Sequence, residues 1–277
     1  LLLAGDTAYP DTTAPALSPR PQGWFTDPIA VECPPPGDTN GEVAELEKLA
    51  ARRGEADIAR LRWWSAGGPA YRWNELAIDT LLERHPTAPL VVVGHSLGAQ
   101  LPGLLRHRDR IAGLVSVAAG SGYWRDNAPQ LKRIVLYFWH VLVPVAVAVA
   151  GYFPGKRIGK VGDLPRGVVM QWRRWCLHPR YHVGAEGESV RRRFADARFP
   201  VVALSITDDE LMTERGTRVL IDCYENAPRE LQRIAPGDIG AKRIGHFGFF
   251  RPQFEATLWR RLESLLAGFG SRARGAG

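Results

Sequence analysis

Apolar residues gather along this chain in two kinds of run, and the difference between them predicts the architecture. Leu90-Val91-Val92-Val93 is four consecutive apolar residues between Pro89 and Gly94, without the alternation of a strand that has one wet face. Such a run predicts a strand covered on both sides, as in parallel sheets. Ile111 to Ala118 and Val201 to Ile206 have the same character, and Glu230 to Ile234 is a further β-like stretch. Helical spacing occurs at Glu42 to Leu61, through Val43, Leu46, Leu49 and Ala50 with Asn40 as N-cap. It recurs at Trp73 to Arg84, through Leu76, Ala77, Thr80 and Leu81. Buried strands separated by helical patterns predict an α/β sheet with crossover helices. Pro10 to Pro36 reads as loop with Ile29-Ala30-Val31 as a short strand inside it, and Arg62 to Tyr71 reads as irregular.

One run fits neither pattern. The 20 residues from Ile134 to Phe153 carry no charge, hold Pro144 in their middle and are flanked by Lys132-Arg133 and Lys156-Arg157. The length just meets the ~20 residues of a membrane span, but basic residues at both ends give no orientation. An apolar lid or core element is the preferred reading, contact with a membrane surface through 134–153 the second, and a true span the last. His140, alone in this run, is expected to be a hydrogen-bonded core residue.

Composition narrows the class. A chain of 277 residues that is 45% hydrophobic and 23% charged is one large globular domain, not a disordered, collagen-like or polytopic membrane chain. Lys and Arg number 36 against 29 Asp and Glu, a balance of +7 that permits anionic partners without demanding them. The basic runs Arg191-Arg192-Arg193 and Arg173-Arg174 lack interleaved aromatics and read as solvated faces, so no nucleic-acid partner is expected. Cys33, Cys176 and Cys223 are odd in number and form no C-x-x-C, which predicts a reducing compartment and no zinc site. His178 and His182 are four apart, but Pro179 opposes the helix that would aim both at a metal. Leu1 to Gly5 has no basic n-region, so a cytoplasmic location is expected. Both methionines, Met170 and Met212, are internal, and the natural chain is expected to begin upstream of Leu1. Oligomeric state leaves no sequence signal.

The chemistry concentrates in three places. Gly94-His95-Ser96-Leu97-Gly98 is a G-x-S-x-G directly after the buried run and before a helix-compatible segment. That context predicts a strained strand-to-helix turn that thrusts the Ser96 hydroxyl out, with glycines giving room and the Leu97 N–H facing a substrate oxygen. A nucleophilic Ser needs a base, and the base needs an acid to orient it. Val201 to Ile206 ends at Thr207-Asp208-Asp209-Glu210, which places a carboxylate at the same rim. Asp209 is favoured over Asp208 because Glu210 and then Leu211 follow it, and one of the two is expected to cap a helix starting near Leu211. His246, in Arg243-Ile244-Gly245-His246-Phe247-Gly248-Phe249-Phe250, lies in a Gly-rich loop after the last β-like stretch and is the candidate base. Tyr123, Trp124 and Trp172 suit the wall of an apolar pocket, although core packing suits them equally.

These residues together resemble the α/β-hydrolase superfamily, and in particular bacterial predicted hydrolases related to serine aminopeptidase and esterase-like members. The resemblance rests on Pro89 to Gln100, Gly120-Ser121-Gly122-Tyr123-Trp124, Gly151 to Lys156, Gln171 to Cys176, the Asp-Asp segment and Lys242 to Phe250, and covers about 73–262. It implies an α/β-hydrolase core formed by 1–120 and 196–277, with a helical lid inserted at 121–195. It also implies Ser96 as nucleophile, His246 as base and an acid at Asp208 or Asp209. Leu1 to Asp6 would be the first strand and its oxyanion loop, Asp6 or Gly5 giving the second N–H. The D-x-R-G-x-G-like turn of such proteins is absent between Leu17 and Arg72. The expectation is a serine hydrolase that cleaves an ester, thioester or amide of a hydrophobic small molecule through an acyl-enzyme, with no cofactor or metal. The rival expectations are a catalytically impaired binding protein on the same fold and a membrane-associated lipid esterase.

Overall fold

Five strands, β1 (Leu2–Ala4), β2 (Leu90–His95), β3 (Ile111–Val117), β6 (Val201–Ile206) and β7 (Arg229–Ile234), form one sheet in that spatial order, with every neighbouring pair parallel. The computed structural model describes residues 2–4, 78–79, 82–83, 86–158 and 164–275. The expected strands are therefore present. The expected helix at Trp73 to Arg84 is helical where it is described, at 78–79 and 82–83. The expectations for Pro10 to Pro36, Glu42 to Leu61 and Arg62 to Tyr71 lie outside the described residues, as does Asp6.

Continuous apolar runs serve a sheet with two covered faces. Along β2 every residue is buried, and the side chains alternate between two cores. Val91 and Val93 join Val115, Val117, Leu204 and Ile206 on the face covered by helix α7 (Arg260–Gly275), whose Leu262 and Phe269 enter the same core. Gly113 is what lets α7 lie so close, because a Cβ there would fall 2.5 Å from the Phe269 ring. Leu90 and Val92 face the other way, with Leu114, Val201 and Ala203.

That second face is covered largely by the chain between β3 and β6. This segment forms helices α1 (Lys132–Ala150), α2 (Gly155–Ile158), α3 (Arg166–Leu177), α4 (Tyr181–Ala185) and α5 (Glu188–Ala195). A small antiparallel pair, β4 (Tyr152–Phe153) and β5 (Leu164–Pro165), lies among them. Trp139, Val143 and Val147 of α1, Val169 and Trp175 of α3 and Phe194 of α5 share one core with the sheet. The inserted segment is thus packed on the sheet, not hung from it.

Pro144 does not break α1, because the helix widens ahead of it. Residues Phe138–Leu142 form a π-turn, and the Val143 N–H reaches back to the Phe138 carbonyl. A proline in the next position has no N–H for the carbonyl of Trp139. Arg173 Nε of α3 donates to that carbonyl at 2.6 Å, so the orphan acceptor becomes a link between two helices. The core expectation for His140 is corrected: its side chain is exposed, and Trp139 is the residue turned inward.

Candidate active site

The C-terminal ends of β2, β6 and β7 lie at one rim of the sheet, since all three strands run parallel in register. Ser96 follows β2 with φ +51°, a left-handed conformation that is costly for a residue with a Cβ. Gly94 makes this turn sterically feasible, because a Cβ on it would stand 2.5 Å from Cα of Ala99. The continuation differs from the expected helix. Ser96–Ala99 and Pro102–Leu104 are short 3-10 turns. Pro102 has no N–H to continue a helix, and Gly103 lies where a Cβ would meet the Phe194 ring at 2.4 Å.

Ser96 Oγ lies 3.0 Å from His246 Nε2, and His246 Nδ1 lies 2.9 Å from Asp209 Oδ2. The pattern assigns the ring proton to Nδ1, so that the hydroxyl donates to Nε2 and Nδ1–H donates to the carboxylate. The imidazole and the Asp209 side chain are each about 1% exposed, so both act in a site closed to bulk water. Oδ1 of Asp209 also accepts the N–H groups of Leu211 and Met212, both at 2.8 Å. These bonds fix the carboxylate toward the ring.

Asp208 is placed differently. Its two oxygens accept the N–H groups of Ile244 and Gly245 at 2.9 and 3.1 Å, and Glu210 Oε2 accepts the N–H of His246 at 3.1 Å. Three consecutive carboxylates therefore hold one loop, two by its backbone and the middle one by the imidazole. The alternative assignment of Asp208 to the ring does not match this geometry. Neither Asp caps the following helix, which corrects that expectation: α6 (Glu214–Ile221) begins later, and Thr213 Oγ1 accepts the Gly216 N–H.

Three groups with no supporting role expected from the sequence hold the same turn. His95 Nε2 lies 2.9 Å from the His246 carbonyl, which can only accept, so His95 donates there. Gln100 donates to the Gly120 carbonyl and accepts from the Tyr181 hydroxyl at 2.8 Å each. His182 Nε2 lies 3.1 Å from the Gln100 carbonyl, and its Nδ1 accepts the Val183 N–H at 2.9 Å. Burial lowers His182 to about 4, against the weaker pull of the Gln100 carbonyl, which raises it. Burial likewise raises the Cys176 thiol and the Tyr181 phenol well above their ordinary ranges. Proximity of Gln100 to Ser96 in the chain was the one available signal, and it does not name its partners.

The aromatic candidates are less directly placed. Trp172 donates from Nε1 to the Tyr181 hydroxyl at 3.2 Å and packs edge-on against Trp139, which is the core reading of that residue. Tyr123 is buried and stacks edge-on with Trp124, whose ring lies under the Arg125 guanidinium. A cavity of about 530 Å³ beside His246 is lined by residues 239–247, with Glu210, Arg251, Gln253, Phe254 and Thr257. It includes none of Tyr123, Trp124 and Trp172. Among the described residues no group of three His, Cys, Asp or Glu side chains gathers to hold a metal ion. His178, the partner in the weighed pair, accepts the Arg180 N–H instead.

A parallel sheet carrying Ser, Asp and His on the loops after three of its strands, in that chain order, defines a class, that of α/β-hydrolases. The sequence matches the model of the alpha/beta hydrolase family over residues 11–258, and the chain belongs to that family. This match begins well upstream of residue 73, where the recognisable motifs start. No curated protein matches the sequence. Among solved structures, a soluble variant of the monoglyceride lipase of Saccharomyces cerevisiae is similar at 14% identity and a TM-score of 0.50, over 73% of this chain and 69% of that one. The monoacylglycerol lipase of Paleococcus ferrophilus aligns at 16% identity and a TM-score of 0.42, over 73% and 77%. Est816, described as an N-acyl homoserine lactone degrading enzyme, aligns at 18% and 0.41, over 74% and 76%.

Proposed function

We propose that the chain is a serine hydrolase that cleaves a carboxylic ester of a hydrophobic small molecule through an acyl-enzyme. The observation that carries this reading is the hydrogen-bonded path from Ser96 Oγ through both nitrogens of His246 to Asp209. Ser96 Oγ attacks the ester carbonyl while His246 Nε2 takes the hydroxyl proton. Asp209 holds the imidazolium, and the same proton goes to the alkoxide leaving group as the carbon–oxygen bond breaks. Water then attacks the acyl-Ser96, gives its proton to His246 and releases the acid as Oγ is reprotonated. The Leu97 N–H, at the start of the turn after Ser96, is the first oxyanion donor, and Asp6 or Gly5, both outside the described residues, would give the second. Such a donor contributes about 2.7–4 kcal/mol to the transition state in a comparable site.

The inserted segment 121–195 acts as the lid, and its apolar α1 is the reason for assigning a hydrophobic acyl group. The same chemistry serves a thioester or an amide, with the ester the easiest of the three to cleave. A chain-length series of p-nitrophenyl esters tests the reading. It predicts a burst of one p-nitrophenolate per chain, a preference for longer acyl groups, and loss of both in Ser96→Ala. Hydrolysis that survives unchanged in a folded Ser96→Ala chain overturns it.

A further inference from the structure

We propose that the outer face of α1 is a docking surface for an anionic lipid membrane, on which the helix lies flat. This does not depend on Ser96 being a nucleophile. Seven large hydrophobic side chains are exposed among the described residues, and six of them lie on α1 or just after it. Ile134, Tyr137, Val141, Val145 and Val149 recur every three or four positions and so share one face, with exposures of 60, 58, 43, 57 and 84%. Tyr152 follows at 40%. Their opposite stripe, Trp139, Val143 and Val147, is buried in the core shared with the sheet. A helix apolar all round needs cover on every side, and among the described residues protein covers only one.

Charge identifies the occupant. No Asp or Glu occurs from residue 127 to 162, whereas Lys132, Arg133, Lys156, Arg157 and Lys160 do. Arg133 and Arg157 flank the apolar run in the sequence and are both exposed, and among the described residues neither has an ion-pair partner. A second copy on this face, laid antiparallel or parallel, would bring this carboxylate-free basic segment against its like. Both arrangements oppose cation to cation. Anionic headgroups supply the missing sign while the acyl region takes the valines. A span is not the geometry, because the inner stripe is packed and Arg173 holds the Trp139 carbonyl.

Flotation of the full chain with vesicles tests this, using phosphatidylcholine alone and phosphatidylcholine with about 30% phosphatidylglycerol. Binding is expected with the anionic vesicles, falling as salt rises. The double substitution Val145→Ser and Val149→Ser, at exposed positions, should weaken it about tenfold or more with an unchanged melting temperature. Arg133→Gln and Arg157→Gln should each weaken it about fivefold. No flotation with either vesicle overturns the proposal, as does flotation indifferent to these substitutions. Sedimentation as a dimer that Val145→Ser and Val149→Ser dissociate would assign the face to a second copy and overturn it as well.

Discussion

His246 Nδ1 lies 2.9 Å from Oδ2 of Asp209, while Oδ1 of that carboxylate accepts the backbone of Leu211 and Met212. Asp209→Asn keeps an oxygen for the backbone bonds but turns an amide toward the ring, which favours the wrong tautomer. The expected result is a folded chain whose kcat for p-nitrophenyl esters falls by about four orders of magnitude. Asp208→Asn should behave differently, because Asp208 grips the Ile244 and Gly245 N–H groups and not the imidazole. A loss of about 1–2 kcal/mol in a denaturant melt is expected, with kcat within about tenfold. Equal effects of the two substitutions on kcat would contradict the separation of roles.

Gly94 faces the backbone of the turn it precedes, and backbone cannot swing aside. Gly94→Ala places a Cβ 2.5 Å from Ala99 Cα and 2.8 Å from the Gly98 carbonyl carbon. The expected cost is about 2–3 kcal/mol of stability, with loss of esterase activity as the turn shifts. Denaturant unfolding and the p-nitrophenyl assay check both.

The Arg173 bond to the Trp139 carbonyl exists because residue 144 has no N–H to give. Arg173→Leu leaves that carbonyl without its donor and should cost about 1–3 kcal/mol. Pro144→Ala restores an N–H, so the Arg173→Leu penalty should shrink in that background. A double-mutant cycle by thermal unfolding measures the coupling, and strictly additive effects would exclude it.

His182 gives the fold an acid limit. Its neutral form uses both ring nitrogens, and burial sets its folded pKa near 4, below the ordinary 6.5. The unfolded chain therefore takes up the proton first as pH falls. The stability tied to this group is complete above pH 6.5 and is lost as pH falls toward 4, by about 3 kcal/mol in all. His182→Gln should flatten that part of the stability profile measured by urea unfolding. Parallel profiles for the two proteins would show that another group sets the limit.

Strands, nucleophile turn, base and acid were legible because each is written in local pattern. Leu90 to Val93 announces a doubly covered strand, Ser96 and Asp209 each follow such a strand by a few residues, and His246 stands in a glycine-rich loop after β7. What escaped the sequence depends on partners far away in the chain. Gln100 and His182 meet only because the inserted helices fold back onto the sheet. Pro102 and Gly103 shorten the helix after Ser96 because the Phe194 ring occupies its flank. His140 was assigned to the core by its apolar neighbours, yet the helix turns Trp139 inward in its place. Asp208 looked like a cap or a spare acid, and the loop that it and Glu210 hold explains it.

The central claim is that Ser96 is the nucleophile, and covalent labelling with a fluorophosphonate reads it most directly. The account predicts a single adduct per chain, mapped by mass spectrometry to the peptide containing Ser96. Labelling should be absent in Ser96→Ala and slowed strongly in His246→Ala and Asp209→Asn. A wild-type chain that unfolds cooperatively yet takes no label, or takes it at another residue, would contradict the account.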